Sequence, residues 1–294
     1  MIYALKTAIF VITHKLFDCP HQKIYHPIIA GAFEHNKSEF PEDYIRDDSL
    51  HNISQKHDLY SEFTALYWIW KNTKMDIVGI NHYRRYFINK GALGYLWLLL
   101  KNKKDNGFAL TKKEILQIFV KEKYDCVLPK KQWTVFTTVA DEFELAYPGM
   151  ADILKDVINK IHPEYSEFYD RLITSHERHL KCLFVMKKEY FCDYAQWMFS
   201  IFDELEARGC EGSSREFAFI GEFAMNVWVE YQKSIKGMRV KELFYINSDV
   251  SIMNMRNNYN YTEVFLPNAL AVALRRLKTR VRVIDGKIKL IKSE

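Results

Sequence analysis

Residues 8–13 read Ala-Ile-Phe-Val-Ile-Thr, an unbroken apolar and β-branched run without polar alternation. A run this short is a strand rather than a helix, and its lack of alternation means that both faces must be covered. A chain carrying it needs helices on either side of a sheet. Further short apolar runs at Ile77–Ile80, Cys126–Pro129, Cys182–Met186 and Val240–Ile246 are predicted strands. Segments with helical spacing lie between them: 62–72, 111–121, 150–161, 188–207 and 215–232, the last as one helix or a pair. Thr111 and Glu114 form a capping box at the start of the second of these. Strands and helices alternate, so the expected fold is α/β, with a mostly parallel central sheet flanked by helices. No repeat or low-complexity linker divides the chain, and one domain over 1–264 is expected, followed by a distinct tail over 265–294.

At 294 residues and 48% apolar content the chain can bury a substantial core. Its five cysteines (Cys19, Cys126, Cys182, Cys192, Cys210) show neither CxxC pairs nor zinc spacing, and read as reduced thiols of a cytoplasmic protein. The first residues lack a signal-peptide cleavage site. No stretch reaches the roughly 20 apolar residues that span a bilayer.

In parallel α/β sheets, ligands bind beyond the carboxyl ends of the strands. Three of those ends are rich in cations and donors here. The first strand ends in Thr13, His14 and Lys15, the second in His82, Tyr83, Arg84 and Arg85, and the third in Pro129, Lys130 and Lys131. Together they suit an anionic ligand such as a phosphate or nucleotide. Glu222, just after Gly221 in an otherwise apolar stretch, is costly to bury without a partner or a task. Asp47 and Asp48 form an acidic pair on a predicted loop, either solvated or set to meet a metal or sugar hydroxyl. Glu62 opens a helix, where it either complements the helix dipole or bonds a ligand. Tyr67, Trp68 and Trp70 read as core rather than sugar platforms. His176 and His179, three apart, could share a helical face toward phosphate or acceptor. Asp141 and Glu142 are reserve acids.

These stretches resemble a bacterial family, the domain-of-unknown-function 4422 family of capsular, exopolysaccharide and O-antigen synthesis proteins. The similarity is carried by "IFVITHKLFDCP", "IYHPIIAGA", "NISQKHDLYSEFTALYWIWKN", "DIVGINHYRRYF", "YDCVLPKK", "FVMKKEYFCDYAQWMFSIFDELE" and "FAFIGEFAMNVWVEYQ", spanning roughly residues 8–246. The chain departs from the pattern at Leu50 and His51, and at Phe223 and Ala224. The resemblance implies a GT-A-like nucleotide-diphospho-sugar transferase fold. It also implies transfer of a hexose, galactofuranose among the candidates, from a UDP-sugar to a growing polysaccharide or lipid-linked saccharide.

Such a transfer needs the leaving diphosphate stabilised and, if the reaction inverts, a base for the acceptor hydroxyl. A carboxylate-held metal commonly does the first task. Here the strand end lacks Asp-x-Asp, so His82 and Arg84 are expected to supply fixed positive charge, backed by Arg85. Alternation about an inward Tyr83 favours His82 and Arg84 over Arg85. Glu222 is the expected general base. Thr13, His14, Glu62, Lys130 and His179 are expected at the substrate. Mn2+ or Mg2+, if one is used, would fall to Asp47 and Asp48. The alternative reading is a non-catalytic sugar-nucleotide-binding or assembly protein of the same machinery. A phosphoryl-transfer enzyme is disfavoured by the absence of a P-loop.

The tail stands apart. Leu270, Leu274 and Leu277 share a face beside Arg275, Arg276, Lys278, Arg280 and Arg282, followed by a predicted hairpin at Asp285–Gly286. A basic amphipathic segment of this kind either packs on the domain or binds an anionic membrane surface, here the inner face of the cytoplasmic membrane. No nucleic-acid-binding module is recognisable.

Overall fold

Strand β1 (Thr7–Thr13) is buried at every position. Ala8, Phe10 and Ile12 face one core, Ile9 and Val11 another. That two-sided burial is why the run carries no polar alternation. The computed structural model describes residues 5–100, 106–133, 138–210 and 215–247. The basic tail expected over 265–294 lies outside the described residues.

Parallel to β1 run β2 (Tyr25–Ile29) on one side and β4 (Ile77–His82) on the other, with β3 (Ile45–Arg46) beyond β2. Gly79 allows β4 its close approach, since a β-carbon there would lie 2.9 Å from Ile9 Cγ1. Beyond β4 the sheet changes character. Its other strands are β5 (Arg85–Ile88), β6 (Cys126–Pro129), β9 (Phe184–Lys187) and β10 (Val240–Asn247). The order is β3-β2-β1-β4-β5-β10-β6-β9, and β9 pairs back onto β4, so β4, β5, β10, β6 and β9 close a ring. The free edge of β4 is shared: Ile77–Ile80 pair with β9, and His82 pairs with Arg85 of β5. A separate short pair joins β7 (Gln132–Trp133) to β8 (Glu177–Arg178).

The expected mostly parallel sheet is therefore mixed. β1–β2, β1–β4, β2–β3 and β6–β10 are parallel, whereas β4–β5, β5–β10, β6–β9 and β4–β9 are antiparallel. The reason is the turn at Tyr83–Arg84. Two residues suffice to reverse a strand, whereas a parallel neighbour needs a long crossover. Reading 82–85 as one polar strand end hid β5, whose Tyr86, Phe87 and Ile88 are buried.

Helices cover both faces: α1 (His57–Tyr60), α2 (Phe63–Asn72), α3 (Ala92–Leu100), α4 (Lys112–Leu116), α5 (Val139–Ala146), α6 (Met150–Ile161), α7 (Ser166–Ile173), α8 (Lys188–Ala207) and α9 (Glu216–Lys236). Residues of α2 and α5 to α9 form one core with the sheet, and those of α3 and α4 belong to the other. The Thr111–Glu114 capping box is present, but the helix that it opens passes into a π turn at Gln117. The last helix is single and ends at Gly237, whose φ of 70° and N–H bond to the Gln232 carbonyl stop it. Trp70 stacks on Phe199 with ring centroids 5.7 Å apart, and Trp68 donates its Nε1–H to the Ser49 carbonyl at 2.9 Å. Both tryptophans pack, as their spacing suggests. No helix among the described residues is long and apolar enough to cross a membrane.

Candidate active site

A cavity of about 710 Å³ opens at the carboxyl ends of β1 and β4, a volume that suits a small organic ligand. Thr13 and His14 enter it from β1, and His82, Tyr83, Arg84 and Arg85 from the β4–β5 turn. His57, Asp58, Ser61 and Glu62 come from the α1–α2 junction, Glu34 and His35 from the turn after β2, and Tyr147 from the end of α5. Arg215, Ala218, Phe219 and Glu222 complete it from the start of α9. Their spacing of three, four and seven residues puts these last four on one helical face.

The β4–β5 turn sets the cationic wall. His82 and Arg85 are directly opposed across the antiparallel pair, and opposed residues project to the same face. Arg85 thus stands beside His82, and the alternation that favoured Arg84 over it does not continue through the turn. All three line the cavity. The buried Nε of Arg85 has no hydrogen-bond partner among the described residues. Tyr83 is gripped by neighbours: His14 meets its ring edge-on at 5.3 Å, with Lys15 Nζ 4.9 Å and the Arg84 guanidinium 5.1 Å from its centre.

His82 is not one of the fixed cations. Burial, then the neighbouring Arg85, pushes its pKa down to about 3, so its imidazole is neutral at ordinary pH. His14 is shifted the same way by burial and by Arg215, Lys15 and Arg84. Permanent positive charge in the cavity therefore rests with Arg84, Arg85 and Arg215. Arg215 is fixed by an αL backbone (φ 71°) and by its N–H bond to the Asp58 carbonyl at 2.7 Å.

Acids face the arginines. Glu62 Oε1 lies 4.0 Å from His82 Nε2. The Glu222 carboxylate makes no hydrogen bond or ion pair among the described residues. The Tyr245 phenol, raised by burial, lies in the field of both Arg85 and Glu222. Gly221 precedes Glu222 for packing reasons, since a β-carbon there would come within 2.3 Å of the Phe63 ring.

Other expected residues lie elsewhere. Asp47 is fully buried and its carboxylate accepts four bonds: from Gly31 N (3.0 Å), Ala32 N (2.9 Å), Ser54 Oγ (2.6 Å) and Thr64 Oγ1 (2.5 Å). Those bonds use its acceptor capacity, so it does not fit a cation. It braces the turn after β2 against α2. Asp48 pairs with Arg46 at 2.8 Å. Lys130 lies over the Phe244 ring at 5.1 Å. His179 is buried, with Nδ1 bonded to the Pro129 carbonyl at 2.6 Å and its pKa pushed down to about 4 by burial. His176 is exposed, and β8 lies between the two histidines, so they share no helical face. Asp141 caps α5 through Thr138, and Glu142 pairs with Arg178. Thr13 both lines the cavity and closes its strand end, bonding Lys15 through its hydroxyl. Among the described residues no group of three or more His, Cys, Asp or Glu is placed to hold a metal ion.

Sequence reasoning missed Arg215, His57, Asp58 and Ser61. The seven-residue spacing from Arg215 to Glu222 would have identified the first. The other three stand in "KHDLYSEF", a stretch with no pattern of its own. Gly31 shapes their wall: its φ is 67°, and a β-carbon there would meet His57 Cγ at 2.4 Å.

The model of a family described as a domain of unknown function (DUF4422) matches residues 8–233. The chain is also similar to the solved apo structure of WbbM, a bifunctional glycosyltransferase, with a TM-score of 0.68 and 25% sequence identity over 82% of this chain. It spans 45% of WbbM's length. No curated protein matches it.

Proposed function

The chain belongs to the DUF4422 family, and from that premise we propose that it is a glycosyltransferase acting on a nucleotide-diphospho-sugar. One observation carries the proposal. In a fold similar to part of a glycosyltransferase, a cavity at the strand carboxyl ends gathers three arginines with Glu222, whose carboxylate has no partner among the described residues. The reading treats the closed mixed sheet as a variant of the GT-A type. It takes a UDP-hexose as donor, galactofuranose among the candidates, and a polysaccharide or lipid-linked saccharide as acceptor. The domain would end near residue 264, with the basic tail resting on an anionic membrane surface.

In this reading Arg84 and Arg85 bind the diphosphate, with Arg215 closing over it from α9. As the bond from the sugar C1 to the phosphate oxygen breaks, its electron pair passes to the diphosphate, where fixed guanidinium groups stabilise the developing charge. The acceptor oxygen forms the new bond to C1 from the opposite face, and its proton goes to Glu222. The products are an inverted glycoside, UDP and a protonated Glu222 that returns its proton to solvent. His82, being neutral, contributes hydrogen bonds rather than charge.

Thermal shift with UDP and UDP-hexoses, in EDTA and in manganese, tests the proposal. Binding to the native state raises the melting temperature by mass action. A rise with UDP in EDTA is the expected result. A rise in manganese alone would move diphosphate binding away from the arginines, and no rise in either would overturn the reading.

A further inference from the structure

Ser61 ends α1 at φ 47°, ψ −123°. Glycine adopts that conformation freely, but an L-residue holds it only under strain. The side chain retained at this strained position lines the cavity. Ser61 is only 5% exposed. Its amide bonds the His57 carbonyl at 2.7 Å, and its carbonyl accepts from the Thr64 amide at 3.2 Å. Its hydroxyl has no hydrogen-bond partner among the described residues. The hydroxyl opens on the cavity, where a ligand's polar group can complete it. Backbone strain and the unbonded hydroxyl therefore point to the same role.

The neighbours give the ligand's chemistry. Glu62 follows directly, 4.0 Å from His82. One nitrogen of the His82 ring bonds the Lys181 backbone, so the neutral imidazole offers a ligand its other nitrogen; a carboxylate accepts, and a hydroxyl does both. That set suits neutral hydroxyl groups, whereas the carboxylate repels phosphate. The arginines of the same cavity suit the phosphates instead. We propose that Ser61, with Glu62 and His82, forms the subsite that reads the hydroxyl groups of the transferred hexose, with Ser61 as a specificity-determining residue. The proposal rests on the nucleotide-sugar reading above.

Calorimetric titration of wild type and Ser61→Gly with UDP, UDP-galactose, UDP-galactofuranose and UDP-glucose tests it. Glycine suits the backbone, so the variant folds and its melting temperature stays level or rises. The wild type should prefer one UDP-hexose over UDP. In Ser61→Gly, UDP affinity should remain within about twofold of wild type, while affinity for that hexose conjugate falls about five- to tenfold. An undiminished preference, or equal weakening toward UDP and the conjugate, would overturn the subsite. Wild type binding UDP and all conjugates alike would remove the subsite and leave the nucleotide reading standing. Wild type binding none of them would remove both.

Discussion

Arg85 and Glu222 differ most from their surroundings. Arg85 has a buried Nε without a partner among the described residues, and Glu222 a carboxylate with no ion pair there. Their proposed roles separate by experiment. Arg85→Ala should weaken UDP binding about tenfold or more, as loss of a charge-assisted contact does. Lys130→Ala, outside the cavity, should leave UDP binding unchanged. Glu222→Gln should retain UDP binding and lower turnover about 10²- to 10⁴-fold, the range expected for loss of a general base. Full turnover in Glu222→Gln would remove it from that role. Both residues were legible as candidates, because an arginine pair at a strand end and an acid in an apolar helix are unusual in local sequence alone. The state of His82 was not. A histidine beside two arginines looks like a third cation, and only its burial makes it neutral.

The α1–α2 junction and α9 depend on struts whose cost of removal can be measured. Asp47 ties the turn after β2 to Ser54 and to Thr64 of α2. Asp47→Ala strands two buried amides, and should destabilise the fold by about 3 kcal/mol or more in denaturant titration. A stable Asp47→Ala variant that had lost only a manganese response would contradict its bracing role. Gly221→Ala should also destabilise, because its methyl group meets the Phe63 ring where α9 crosses the start of α2. At this scale the sequence was partly readable. The runs of α6 and α8 were marked by helical spacing to their observed limits, 150–161 and 188–207. α1, α5 and α7 were not, being short and held by contacts distant in sequence. Asp47 looked like a ligand because an acidic pair on a loop shows charge and not partners.

Acid should loosen the whole molecule through its buried histidines. In the unfolded chain they take up protons below about their ordinary 6.5, but in the native state His82 and His179 do so only near about 3 and about 4. The unfolded state thus binds more protons across that window. Stability present above pH 6.5 is lost as pH falls, by about 1.4 kcal/mol per pH unit for each histidine. His14, His26 and His162, lowered chiefly by burial, act in the same direction. Denaturant titrations between pH 6.5 and 5.5 should show this fall, and His179→Gln should flatten it; a flat wild-type profile would contradict the burial argument. The sequence by itself determined that helices cover both faces of a sheet, because an apolar run without alternation cannot meet water on either side. It also determined that cations gather where β1 and β4 end, because side-chain type is local information. The tertiary structure alone decided that the sheet closes through β9 and turns antiparallel at Tyr83–Arg84. It alone set the α9 face of Arg215 and Glu222 against the ends of β1 and β4, and left Asp47, Lys130 and His179 outside the cavity. Strand pairing and side-chain partnership are long-range contacts, and no local pattern encodes which distant backbone or carboxylate a residue will meet.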